Sequence, residues 1–68
     1  MDALQQVQLE ARLRTLEQEH ADLGAAIMAL EHSGAGDQLQ LRRLKKKKLA
    51  LKDQISEIED DLIPDIIA

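Results

Sequence analysis

The sequence predicts an all-α protein, an antiparallel two-helix coiled-coil hairpin that dimerises into a four-helix bundle. Three observations indicate this fold. Leu, Gln, Ala, Glu and Lys, which are strong helix formers, dominate the 68 residues. One clear helix break lies near the middle of the chain, and aliphatic residues on both sides of it recur at steps of three and four. A chain of this length forms one domain at most.

The first predicted helix spans about residues 3–32 and is followed by a loop at about residues 33–37. Two of the three glycines, Gly34 and Gly36, lie in this loop. Because glycine adopts left-handed backbone angles readily, Gly34 is a natural terminator of the first helix. The loop is short enough to turn the chain back on itself.

The second predicted helix spans about residues 38–63 and precedes an apolar tail at residues 64–68. Asp37 and Gln40 form the pattern Asp-x-x-Gln, which predicts a capping box at the start of this helix. Pro64 has no backbone N–H and restricts the residue before it, so we expect the helix to end there.

Each predicted helix carries a heptad stripe, which is typical of a left-handed coiled coil. The steps between stripe residues alternate between three and four over three heptads. The first stripe consists of Leu9, Leu13, Leu16, His20, Leu23, Ile27 and Leu30. The second consists of Leu41, Leu44, Lys48, Leu51, Ile55, Ile58 and Leu62. Together these residues form the predicted hairpin seam.

The two stripes are mirror images about the loop. In all seven predicted layers the two residue numbers add up to 71, as for Leu16 with Ile55. The charged residues that flank the seam should also face one another. The predicted facing pairs are Glu17 with Lys52, Arg12 with Asp61, and the unfavourable Glu10 with Glu59. Exposed pairs contribute only a few tenths of a kcal/mol, so the apolar layers decide the register.

The segment from Leu23 to Leu30 is apolar on all sides of the first helix, which indicates burial on more than one face. We therefore expect a homodimer whose contact includes small residues and a methionine that fills irregular space. The residues of this predicted contact are Gly24, Ala25, Ala26, Met28 and Ala29. The alternative is that the alanines are simply good exposed helix residues.

Six cations occur within seven residues of the second helix. This basic band consists of Arg42, Arg43, Lys45, Lys46, Lys47 and Lys48. It faces residues 24–29, which contain no acid, and could meet phosphates, an anionic surface or an acidic protein partner. The alternative is a solvated helix face. The net charge of −4 and the lack of aromatic residues argue against nucleic acid.

Two polar residues occupy the predicted seam. Lys48 can lay its methylenes along the apolar layer and fix the register of the helices. His20 belongs to a Glu-x-x-His pattern with Glu17, but the second helix offers lysines and no glutamate at that level, so we expect no metal site.

The sequence predicts no catalytic residue, no cofactor and no enzymatic activity. It contains no cysteine, no phosphate-binding loop after a strand, and no base placed to activate Ser33 or Ser56. No apolar run approaches the length of a membrane span. Since the N-terminus does not resemble a signal peptide, we expect a cytoplasmic protein.

Two segments resemble the YdcH-like family of small bacterial proteins. The first is Leu16-x-x-x-His20-x-x-Leu23-x-x-x-Ile27-x-x-Leu30-Glu31, and the second is the signature LKKxKLxLKDxI at residues 44–55. The likeness covers about residues 16–58. It implies a short cytoplasmic helical hairpin of largely uncharacterised role and carries no catalytic residue or cofactor. Gly24 departs from the family pattern, which usually has an acidic residue there.

These observations predict a non-catalytic, self-associating interaction or adaptor protein. Its expected partners are a second copy and an unidentified protein. The alternative is anion or nucleic-acid binding through the basic band.

Overall fold

The structure is a computed structural model that describes residues 2–62 and contains two α-helices, α1 (Ala3–Ser33) and α2 (Gln38–Leu62). The helices run in opposite directions and pack against each other. Residues 2–62 contain no strand. The all-α helical hairpin is therefore confirmed. The last residue of the predicted second helix and the tail at residues 64–68 lie outside the described residues.

A capping box that the sequence analysis missed begins α1. The Asp2 carboxylate accepts a hydrogen bond from the Gln5 backbone N–H at 2.7 Å, and the Gln5 side-chain oxygen accepts from the Asp2 N–H at 3.4 Å. These bonds satisfy two backbone donors that have no partner within the helix. The signal was the same Asp-x-x-Gln pattern that was recognised before α2.

The turn between the helices depends on Gly34, which has a φ of +69°. Only glycine adopts this left-handed conformation without a steric penalty, so α1 ends here. The Ser33 hydroxyl donates to the Leu30 carbonyl at 3.3 Å and accepts from the Ala35 N–H at 3.2 Å. These contacts let the chain reverse direction within four residues.

Asp37 caps the start of α2, but only half of the predicted capping box forms. The Asp37 carboxylate accepts from the Gln40 backbone N–H at 2.7 Å. Among the hydrogen bonds of residues 2–62, none returns from the Gln40 side chain to the Asp37 backbone, so the reciprocal half of this prediction is wrong. Both residues are exposed, and water can solvate the groups that the missing bond would join.

The hairpin seam separates the interior from the surface. All fourteen seam residues are buried or half-buried, and only four other residues between 2 and 62 are not exposed, namely Glu10, Gly24, Gly36 and Glu59. Close contacts mark the layers nearest the loop, since a Cβ built on Gly36 would lie 3.1 Å from Leu30 Cβ and 3.5 Å from Leu41 Cγ.

Most of the buried side chains among residues 2–62 lie in the half of the hairpin away from the loop. Its buried members form one cluster, against which four half-buried leucines pack. The cluster consists of Leu16, Leu51, Ile55 and Ile58, and the packed leucines are Leu9, Leu13, Leu23 and Leu62. Ile27, 4% exposed, is buried on the loop side of Lys48. A polar side chain therefore separates two parts of the interior.

Two glycine substitutions should shift stability in opposite directions. Gly34→Ala forces a Cβ into a left-handed conformation, so we expect the free energy of unfolding to fall by about 1–2 kcal/mol. Gly24→Ala, the matched control, lies inside α1, where its Cβ would meet Lys48 only at ordinary contact distances of 3.5 and 3.6 Å. Better helix propensity should then raise stability by up to about 1 kcal/mol. Urea unfolding followed by circular dichroism measures both, and equal effects would contradict the assigned turn.

Candidate interaction surfaces

The basic band lies on the loop half of α2. Five of its six cations are exposed, and Lys48 is half-buried. Lys45 Nζ forms an ion pair with Glu31 Oε2 at 2.9 Å. Glu31 lies beyond residues 24–29, the acid-free segment predicted to face the band, and Lys45 contacts it by reaching diagonally towards the loop. Among residues 2–62, no other cation of the band has a carboxylate within ion-pair distance.

The predicted flanking charges do not form ion pairs in the described part of the chain. Arg12 and Asp61 border the same surface depression beside Leu9, which agrees with their predicted facing positions. Glu17 and Lys52 are both exposed. Water solvates such charges well, so long side chains gain little by holding one paired geometry.

Lys48 enters the seam from α2 and extends towards α1. Its ammonium nitrogen lies 3.5 Å, and its ε-carbon 3.6 Å, from the position that a Cβ on Gly24 would occupy. A side chain longer than that of alanine on Gly24 would compete with Lys48 for this space. Within residues 2–62 the ammonium has no hydrogen-bond partner and no ion-pair partner. Lys48 therefore brings an uncompensated positive charge to the edge of the interface between the helices.

A groove of about 600 Å³ opens at this point between the two helices. Its apolar part contains Gly24, Ile27, Met28 and Leu49, and its rim is mostly cationic. The rim consists of His20, Glu31, Lys45, Lys48 and Lys52. The groove combines exposed apolar surface with three lysines, so it suits a segment that carries both apolar and acidic side chains.

The side of α1 that points away from α2 is also apolar. Leu4, Val7 and Met28 are 67%, 61% and 71% exposed. They belong to a second stripe with alternating steps of three and four, all of whose members are exposed. This outer face consists of Leu4, Val7, Ala11, Arg14, Gln18, Ala21, Ala25, Met28 and His32. The contact predicted from the sequence includes only Ala25 and Met28 of this stripe, although the alternating spacing of all its members is visible in the sequence.

The corresponding outward side of α2 is charged. At equivalent positions it carries Leu39, Arg42, Lys46, Leu49, Asp53, Ser56 and Asp60, all of which are exposed. Of the residues predicted for the dimer contact, Ala25 and Met28 lie on the outer face of α1, and Gly24 lies at its edge. Ala26 and Ala29 are exposed beyond the opposite edge. The hairpin thus has one apolar helix face and one charged helix face directed outwards.

His20 is half-buried at its seam position and lines the groove. Within residues 2–62, no three His, Asp or Glu side chains are grouped so that they could hold a metal ion. No helix in the described range is both long enough and apolar enough to cross a membrane.

Comparison with family models gives one match, which covers residues 13–59 and carries the description "Protein of unknown function (DUF465)". The chain belongs to this family. The YdcH protein is a member of the same family, so the resemblance seen in the two helix signatures is confirmed. No curated protein and no solved structure matches the chain. The family description names no function.

Removal of the Lys48 charge should stabilise the isolated hairpin. Lys48→Met keeps an unbranched chain in the Leu23 layer but no longer desolvates an ammonium beside it, so we expect the free energy of unfolding to rise by about 1 kcal/mol. Lys46→Met, at an exposed position, should change it by less than about 0.5 kcal/mol. Chemical denaturation at the lowest workable protein concentration measures both. A loss of stability in Lys48→Met would contradict the uncompensated charge.

Proposed function

We propose that this protein is a non-catalytic interaction module that associates with a second copy of itself and acts as an adaptor. The observation that supports this function is the outer face of α1. Three large apolar side chains on it are more than 60% exposed. Apolar stripes of this length along a helix are typically covered by another helix.

The small size of the hairpin interior favours self-association. Five side chains are buried among residues 2–62, and each helix covers only one side of the other. Domains below about 70–80 residues rarely gain enough from a single core and often depend on disulfides, metals or oligomerisation. The sequence has no cysteine. A second helix pair against α1 would supply the missing burial.

The adaptor role is supported by the division of the surface into apolar and charged parts. The outer face of α1 suits self-association, whereas the exposed cations of the basic band on α2 remain available to an acidic protein segment. The groove presents lysines and apolar atoms but no pair of side chains arranged as nucleophile and base. Binding without chemistry is the function that this arrangement serves.

Self-association should be visible by sedimentation equilibrium between about 1 µM and about 1 mM, which covers binding free energies of about −8 to −4 kcal/mol. We expect a dimer that dissociates on dilution. The double substitution Val7→Gln and Met28→Gln removes apolar contact from the outer face and should shift the equilibrium to monomer with helicity retained. Leu39→Gln, on the charged side of α2, is the matched control and should leave the dimer intact. A wild-type monomer throughout this range would contradict the proposal.

Anion binding through the basic band is a second candidate function. It is favoured by the five cations of the band that have no carboxylate partner among residues 2–62. Such a cluster attracts phosphate groups, although the chain lacks aromatic residues on which bases could stack.

A salt titration tests this second candidate. The logarithm of duplex DNA affinity should fall linearly with the logarithm of salt concentration, with a slope of about −0.9 for each phosphate contact. The double substitution Lys46→Gln and Lys47→Gln should reduce the slope by about 2. Arg12→Gln and Arg14→Gln, which remove two cations outside the band, should not change it. No binding to DNA or RNA at low salt would eliminate this function.

A further inference from the structure

The outer face of α1 is complementary to itself in one antiparallel register. When residue numbers from two copies add up to 32, the large residues at one end meet those at the other, as for Leu4 and the partner's Met28. Val7 then meets the partner's Ala25, and Ala11 meets the partner's Ala21. The small residues allow the two helix backbones to approach closely around a two-fold axis near residue 16.

The same register brings opposite charges together at Gly24. Glu10 and Gly24 lie on the same edge of the outer face, and in this register Glu10 comes within two residues of the level of the partner's Gly24, because the two numbers add up to 34. Glu10 is half-buried, is predicted to face Glu59, and accepts a hydrogen bond from the Gln6 side-chain amide at 3.2 Å. Lys48 reaches the same spot from the other side, with its ammonium 3.5 Å from where a Gly24 Cβ would be. Gly24 lies between α2 and the space that a second α1 would occupy, and it has no side chain to keep the two charges apart.

Building on the proposed self-association, we propose that a second copy of this chain docks antiparallel along the outer face of α1, and that the partner's Glu10 pairs with Lys48 across Gly24. By symmetry, each dimer contains two such pairs. The lysine that is unpaired in the single hairpin gains a carboxylate, and the glutamate that faces Glu59 gains a cation.

The polar centre of the outer face fits this register. Arg14 lies opposite the partner's Gln18, and Arg14 has no hydrogen-bond partner within residues 2–62. The Gln18 amide nitrogen donates to the Asp22 carboxylate at 2.9 Å, and the amide oxygen of Gln18 accepts no hydrogen bond among residues 2–62. The partner's Arg14 guanidinium supplies that donor. Two symmetric hydrogen bonds of this kind favour one register over its neighbours.

The distribution of charge along the hairpin also favours the antiparallel orientation. Residues 37–52 contain seven cations and one acid, whereas residues 53–62 contain five acids and no cation. The loop half is therefore basic and the opposite half acidic. Antiparallel docking places the basic half of one copy beside the acidic half of the other. Parallel docking would place like halves together and put the two Arg14 side chains at the same level.

Engineered cysteines test the register, since the chain contains none of its own. Oxidised Ala11→Cys/Ala21→Cys should form a covalent dimer, because these positions face each other between copies. They lie about 15 Å apart within one helix, which is too far for an internal disulfide. Ala11→Cys alone and Ala21→Cys alone should remain uncrosslinked, whereas a parallel dimer would crosslink both. Ala11→Cys/Ala25→Cys reports a register shifted by one turn.

The charge pair is tested by Glu10→Gln. We expect the dimer dissociation constant to rise about 2- to 10-fold and its salt dependence to weaken, because two ion pairs at the edge of the interface are lost. The hairpin itself should become more stable, since the repulsion from Glu59 is removed. Glu19→Gln, on the opposite edge of α1, is the matched control and should change neither quantity. If Glu10 acted only within the hairpin, Glu10→Gln would change the stability of the hairpin without changing the affinity of the dimer.

The outcomes separate this inference from the proposed function on which it rests. A dimer in solution together with crosslinking only of Ala11→Cys/Ala21→Cys supports both. A dimer in which the single cysteines or the shifted pair crosslink, or in which Glu10→Gln has no effect on affinity, overturns the docking mode and retains self-association. A monomer at every concentration overturns both.

Discussion

The alignment of the two aliphatic seams is the constraint on which the other features of this protein depend. The chain has no aromatic side chain and no disulfide, so seven layers of mostly leucine and isoleucine hold α1 against α2. A slip of one heptad would leave the terminal layers unpaired and would move Lys48 away from Gly24. The position of the groove, the direction of the outer face of α1 and the level of the basic band all follow from this register.

The helices and the seam were accessible to sequence reasoning because their signals are local or strictly periodic. The left-handed Gly34 and the Asp37 cap are predicted from a few adjacent residues, and the heptad spacing extends over three heptads in each helix. The cap at Asp2 has the same Asp-x-x-Gln pattern and could also have been predicted from the sequence. By contrast, the ion pair between Lys45 and Glu31 depends on the diagonal reach of a long exposed side chain, which spacing along the sequence does not specify.

The candidate site was predicted less completely than the fold. Composition drew attention to residues 23–30, where every side of the helix is apolar, and so the contact was placed in the loop half of α1. The exposure of Leu4 and Val7 shows that apolar surface is also present near the start of α1. The stripe is interrupted by Arg14 and Gln18, and a search for continuous apolar residues stops at them. These polar residues also help to determine the register of the interface, because hydrogen-bonding groups at its centre discriminate between registers more strongly than alanines do.

Lys48 links the stability of the hairpin to its assembly. Inside a single hairpin it places a cation beside an apolar layer with no carboxylate within ion-pair distance in the described part of the chain, and Ile27 lies outside the main cluster. In the proposed dimer the same cation is met by the partner's Glu10, so association offsets part of the desolvation that folding incurs. An apolar residue at this position would make the hairpin more stable but would remove a charge pair that favours one register of the dimer.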